Sequence, residues 1–372
     1  MKYKLKPDER ATLELRGLYE QYGYKKYKIG KFEEYSLYAT NRDFLAGDKV
    51  LTFTDLDGRL LAMKPDVTLS VINNTKATKD KSEKLYYIEN VYRENKENHA
   101  FKEINQMGLE YVGKINRHSI LEVIVLAAKT LKTINTDYLL EISHMHFTVH
   151  LLEALKLEES VYLEVLNNIR KKNVTGLTQA AMKAELDSKT IDLLCQLPFL
   201  YGEMGKVIKK ARTMVLTEEM NRDIDELEKY CSALKSLGYS KNVQLDLSMV
   251  NDIDYYNGII FRGYIRSLPG CVLSGGQYDK AMKLFKKDAG GIGFAVYLDE
   301  LNKGEMVPSK YDADAILLYD ENEPMASVIK AAKSLQKEGM SVRCETDVPE
   351  GFRFREKYIM KDGMPVKEET SC

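Results

Sequence analysis

Apolar positions along this chain switch between two periods. Over residues 8–22, Leu15, Leu18, Tyr19 and Tyr22 share one helical face. Asp8 can cap that run and Gly23 ends it, so the spacing predicts a helix. Residues 51–63, LTFTDLDGRLLAM, predict a β-hairpin, because Asp57-Gly58 supplies the positive φ of a tight turn. Segments 86–94 and 104–113 predict two more strands around a polar loop. An amphipathic helix is predicted over 119–134 and a strand over 137–147.

From 148 to about 238 the chain turns helix-rich. Met220, Ile224, Leu227, Cys231 and Leu234 mark one face of a helix that ends near Gly238. Period two then returns: Val243, Leu245, Leu247 and Met249 alternate with Gln244, Asp246 and Ser248. Strands are predicted through 255–265, 275–279 and 290–298. Gly, Pro and charge make 303–312 a linker. Segments 313–320, 323–338 and 340–345 then predict a small strand–helix–strand unit. No internal repeat or low-complexity segment interrupts this order. The fold class is α+β: a mainly antiparallel sheet flanked by helices, a helical insertion and a small α/β tail. The expected domains are 1–304, with the insertion at about 148–238, and 305–372.

Composition changes the picture little. Lys+Arg total 55 and Asp+Glu 56, so no bulk charge draws the chain to nucleic acid or an anionic membrane. No apolar run has the length of a membrane span, and the N-terminus lacks a signal-peptide core. Cys195, Cys231, Cys271, Cys344 and Cys372 are scattered without a CxxC pair. That spacing fits a reduced cytoplasm and offers no cysteine-based zinc site.

The candidate chemistry is sparse. There is no GxxxxGK[ST] loop and no strand-placed GxGxxG, and Gly290, Gly291 and Gly293 read as close backbone packing. His144, His146 and His150 lie close together, the first two on one face of the expected strand. No Asp, Glu or Cys at ligand spacing completes a metal site, so a structural role is expected and no metal or cofactor. In NDIDYYNGIIF (251–261) an aspartate precedes two tyrosines. A carboxylate beside phenol hydroxyls suits a small ligand with an amine and a ring; a half-buried strand with core tyrosines is the other reading.

DIDYYNGIIF is similar to the histidine-specific strand RGLDYYTGTVFE of histidyl-tRNA synthetases, and GGQYDKAM (275–282) resembles the GGRYD segment that follows it. AMKPDVT (62–68) resembles LRPEGT of the synthetases and, with Asp66, LRPDMT of ATP phosphoribosyltransferase regulatory subunits. VYRE (91–94) with INQMGLEYVG resembles class II motif 2, and GGIGFAVYLDEL (290–301) motif 3. The resemblance, in order over residues 1–301, implies a class II aminoacyl-tRNA synthetase-like fold and a histidine pocket. Asp66 and Thr68 would hold the α-amino group. Gln106 and Glu110 match a QxGxE pattern, and Glu110 with Tyr255 and Tyr256 would meet the imidazole. Arg93, the surviving motif 2 arginine, would also belong to the histidine site.

The departures fall on ATP chemistry. Adenylate formation needs cations where charge builds on the phosphates. Asn251 stands at the histidine-strand arginine, Glu300 at the motif 3 arginine and Gly30 at the motif 1 proline, and the motif 2 loop lacks an RPQxGRxR pattern. The tail is short for an anticodon-binding domain, which argues against tRNA. The resemblance therefore implies a non-catalytic regulatory subunit that partners a short catalytic ATP phosphoribosyltransferase, with a homodimeric core and histidine as effector. A divergent synthetase and a stand-alone histidine sensor are the alternatives.

Overall fold

A computed structural model describes residues 5–40, 49–95, 98–250, 255–304 and 310–368. The chain divides into two compact units, Pro7–Gly304 and Glu305–Cys372 with Met1–Lys6.

The larger unit opens with helix α1 (Pro7–Gln21), a two-residue strand β1 (Lys25–Lys26), β2 (Phe32–Glu34) and α2 (Tyr35–Ala39). The expected hairpin is β3 (Thr52–Thr54) and β4 (Leu60–Met63), which joins β2 in a three-stranded sheet. Helix α3 (Val67–Asn74) leads to the long antiparallel pair β5 (Glu83–Glu94) and β6 (Phe101–Gly113). Helix α4 (Arg117–Ile134) follows, its first turn closed by a capping box between Asn116 and Ser119.

Strand β7 (Tyr138–His144) is shorter than the segment 137–147 suggested, because the chain turns into α5 (Met145–Ala154) at His144. The expected shared strand face of His144 and His146 is thereby corrected. Helices α6 (Glu159–Arg170), α7 (Val174–Lys183) and α8 (Ser188–Gln196), strand β8 (Tyr201–Glu203), then α9 (Met204–Arg212) and α10 (Glu218–Ser236) make up the insertion. It begins at Met145 rather than 148, and it returns one strand to the main sheet. Its helices form the crossover from β7 to β9 (Val243–Asp246), which pair parallel, as such pairs require.

Strands β10 (Ile259–Ile265), β11 (Cys271–Gln277) and β12 (Gly290–Tyr297), with α11 (Asp279–Leu284) and α12 (Leu298–Leu301), complete the unit. The order of the nine-stranded sheet is β1-β5-β6-β12-β11-β10-β7-β9-β8. Two boundaries differ from the sequence reading. Tyr255 and Tyr256 precede β10 instead of lying on it, because Gly258 (φ +92°) turns the backbone where an added Cβ would strike Gln277. Tyr278 leaves β11 and precedes α11. Asn251 and residues 305–309 of the expected linker lie outside the described residues.

Period two decides which face of the sheet is which. Tyr86, Met107, Leu109, Phe294 and Val296 pack under α1 and α4, where Tyr19 meets the rings of Tyr86 and Phe294. Their neighbours Tyr87, Val91 and Val112 point the other way, against α3, α11 and Tyr278.

In the smaller unit β13 (Ala313–Leu318), α13 (Met325–Lys337) and β14 (Val342–Glu345) match the expected strand–helix–strand. The chain then adds β15 (Phe354–Lys361) and β16 (Met364–Glu368), giving the sheet order β14-β13-β15-β16. The stretch after the expected strand–helix–strand is an antiparallel hairpin on a four-stranded sheet. Among the described residues no helix is long and apolar enough to cross a membrane.

Candidate functional site

The site lies on the sheet face opposite α1 and α4. Its floor is made of small residues in register: Gly108 is opposite Ala295, while Glu110 faces Gly293, which in turn faces Gly276. A methyl group on Gly293 would collide with the Glu110 carboxylate, and one on Gly108 with the Tyr87 hydroxyl. Side chains longer than hydrogen at these positions would occupy the space where the polar groups converge. Of the glycines expected to pack closely, Gly293 lies against Glu110 and Gly291 against the Tyr278 ring.

Glu110 is 1 % exposed. Thr68 Oγ1 donates to its Oε1 at 2.7 Å, and the Tyr278 hydroxyl donates to its Oε2 at 2.6 Å. Burial raises its pKa to about 8, even though both hydroxyls favour the ionised form. Tyr278 is also buried, which holds its phenol neutral well past the ordinary range. Gln106, four residues away on the same strand face, is 3 % exposed.

Asp66 caps α3: its Oδ1 accepts from Leu69 N at 2.9 Å. Oδ2 accepts from Arg93 Nη2 at 3.4 Å, and Arg93 Nε donates to the Pro65 carbonyl at 2.8 Å. Burial pushes the Asp66 carboxyl upward against the pull of Arg93 and the helix N–H groups. Tyr255 interacts with both Asp66 and Thr68, and its ring meets Tyr256 edge-on at 4.7 Å and Tyr278 at 6.4 Å. Tyr256 also packs on Ile260, Met145 and Met249.

Asp66, Thr68, Arg93, Glu110 and Tyr255 are thus joined by direct interactions. Tyr256 forms a wall beside them and Gln106 extends the same face. Tyr278 has no role in the sequence reading; its place just after a strand of small residues is the signal that singles it out. Also overlooked was Lys64, 1 % exposed, whose Nζ is 3.0 Å from Glu89 Oε2. Of the cationic positions linked to phosphate chemistry, Arg93 is engaged as described and Glu300 pairs with Lys303 at 2.5 Å.

The double duty of Asp66 can be separated. Asp66→Ala removes the cap and is expected to cost about 0.5–2 kcal/mol. Asp66→Asn keeps an oxygen for Leu69 N and should melt near the wild type. Thermal melts of both variants read the difference; equal losses would mean that the charge, and not the cap, holds α3.

Residues 4–301 match the family described as Histidyl-tRNA synthetase. A regulatory subunit of ATP phosphoribosyltransferase from Clostridium novyi (strain NT) is 28% identical over 354 residues, 92% of this chain and 83% of the relative. The solved ATP phosphoribosyltransferase regulatory subunit/histidyl-tRNA synthetase from Bacillus halodurans C superposes with TM-score 0.73 at 24% identity, covering 97% of both chains. A chain of the ATP phosphoribosyl transferase complex from Thermotoga maritima gives 0.63 at 20% identity, covering 80% of this chain and 98% of that one. At these identities the two structures speak for the fold. The family match spans the whole sheet that carries Glu110, and the chain therefore belongs to the histidyl-tRNA synthetase family, within which it is similar to ATP phosphoribosyltransferase regulatory subunits.

Proposed function

We propose that this chain is a non-catalytic regulatory subunit of ATP phosphoribosyltransferase that binds histidine at Glu110. The observation that carries the reading is the buried Glu110 carboxyl, held between Thr68 and Tyr278 above the glycine floor. A ligand imidazole N–H would donate to Glu110, and its α-amino group would meet Asp66 and Thr68. Arg93 supplies a cation for the ligand carboxylate, and Tyr255, Tyr256 and Gln106 bound the ring.

Adenylate chemistry has little support in the same place. Lys64 is committed to Glu89, and Glu300 brings a negative charge where the family carries an arginine. Catalysis would then come from a short-form catalytic subunit, with this chain homodimeric through its synthetase-like core, in the cytoplasm and without tRNA. Histidine must bind the active and inhibited assemblies with different affinity, since a ligand shifts an equilibrium only by that difference.

Titration of the chain into a short catalytic subunit tests this. Alone, the chain should transfer no phosphoribosyl group. The mixture should turn over faster than the catalytic subunit alone and should be inhibited by histidine. The partner should change histidine affinity by the same factor that histidine changes partner affinity. Unchanged turnover and histidine sensitivity would leave a stand-alone sensor. Histidine-dependent pyrophosphate exchange by the chain alone would restore the synthetase reading.

A further inference from the structure

A second polar cluster lies where β7 turns into α5. His144 ends the strand, and His146 lies in the first turn of the helix. Asp223 and Glu226 come from α10, three residues apart and so on one face. Ligand atoms of His144, His146 and Asp223 all lie within 4.8 Å of one another. His144 is 2 % exposed and Asp223 7 %. The His144 and His146 rings are 5.6 Å apart, and His146 stacks on His150 at 5.4 Å. Along the sequence no Asp, Glu or Cys stands at ligand spacing from these histidines. The crossover supplies one from the far end of the insertion.

Hydrogen bonding accounts for only part of this cluster. His150 Nδ1 and Asp223 Oδ2 are 2.7 Å apart, a bond that ties α5 to α10. Among the described residues His144 Nδ1 is buried with no hydrogen-bond partner, and Asp223 Oδ1 stands 3.7 Å from it. Its Nε2 is 3.8 Å from Glu226 Oε2. The partners of Asp223 among the described residues are histidines. Lys280 acts on the cluster through His146, and Arg117 through Glu226. A purely structural cluster would leave the His144 nitrogen desolvated without a hydrogen bond in return.

We propose that His144 Nδ1, His146 and Asp223 Oδ1 bind a divalent ion of the zinc class. Two imidazoles and one carboxylate suit such borderline ions, whereas magnesium and calcium favour all-oxygen sets. With the ion on Nδ1, the His144 proton sits on Nε2 and points at Glu226. The His150 N–H meanwhile orients the Asp223 carboxylate. Outer partners of this kind are the usual support of metal ligands. Three protein ligands leave a fourth position for water. The ion would fasten the first helix of the insertion to its last.

The test uses the full chain, stripped with a chelator and titrated with zinc by calorimetry and with cobalt by visible absorption. The expected results are one ion per chain, the cobalt bands of a tetrahedral nitrogen–oxygen site, and a higher Tm with zinc. His146 is half-buried, so His146→Ala trims a ligand without opening the core. It should weaken binding by more than about 100-fold and remove the Tm rise. His150→Ala keeps every ligand and should weaken binding by about 10- to 100-fold; it reads the site independently if His146→Ala misfolds. Failure of the wild-type chain to bind zinc overturns the proposal. So does equal binding by the two variants and the wild type, which would put the ion elsewhere.

Discussion

Glu110→Gln is expected to flatten the pH dependence of stability and to weaken histidine binding roughly 10- to 150-fold. Both effects have one origin. The folded chain holds the Glu110 proton up to about pH 8, whereas an unfolded glutamate releases it near its ordinary 4.5. Between those values the folded state binds more protons than the unfolded one. The stability that Glu110 contributes is therefore present below the lower pKa and is lost as pH rises through the upper one, by on the order of a few kcal/mol. Glutamine has no proton to lose, so its Tm should fall less between pH 5 and pH 8.5. The Thr68 and Tyr278 hydroxyls can rotate to serve either end of the amide, so the fold should survive. Histidine binding suffers because a carboxylate accepting a ring N–H forms a charge-assisted bond of about 1.5–3 kcal/mol. The wild type should also release protons on binding near neutral pH, since the ligand favours the ionised carboxyl. Calorimetry in buffers of different ionisation enthalpy reads that release. A variant with wild-type affinity and an unchanged pH slope would remove Glu110 from the site.

Lys64→Met should destabilise the larger unit by about 3–5 kcal/mol, the usual cost of stripping one partner from a buried ion pair. Lys64 is 1 % exposed, 3.0 Å from Glu89 Oε2 and 3.4 Å from the Gly30 carbonyl. Glu89 also accepts from Ile29 N at 3.2 Å, so its charge cannot withdraw freely once the lysine is gone. The double variant Lys64→Met/Glu89→Gln removes the stranded charge and keeps an acceptor for Ile29. It should recover most of the loss. Equilibrium denaturation of the two variants and of Glu89→Gln closes the cycle. A double variant no more stable than Lys64→Met would mean that lysine packing, rather than the stranded charge, sets the cost.

Much of the fold could be read from periodicity. Helices α1, α4 and α10 and strands β5, β6 and β12 lie where the pattern put them. The errors came at ends and turns, where one residue outweighs a pattern. Gly258 lifts Tyr255 and Tyr256 off β10, and His144 ends β7 early. The β15–β16 hairpin went unread, although Asp362-Gly363, with φ of 49° and 75°, is a sequence signal for such a turn.

By itself the sequence determined the alternation of β6: Met107 and Leu109 on one face, Gln106, Gly108 and Glu110 on the other. Through resemblance it also singled out Asp66, Thr68, Arg93, Glu110 and Tyr255. Alternation alone would give the polar face of β6 to water. Tertiary structure decided otherwise, by covering that face with α3 and Tyr278. The partners of Glu110 are 42 and 168 residues away along the chain, and the crossover that brings Asp223 to His144 is longer than any local pattern. A carboxyl acquires a raised pKa, and an imidazole loses its partner, only when distant segments exclude water from it. Period and motif fix where a side chain points along its own element; desolvation depends on what the rest of the chain lays over it.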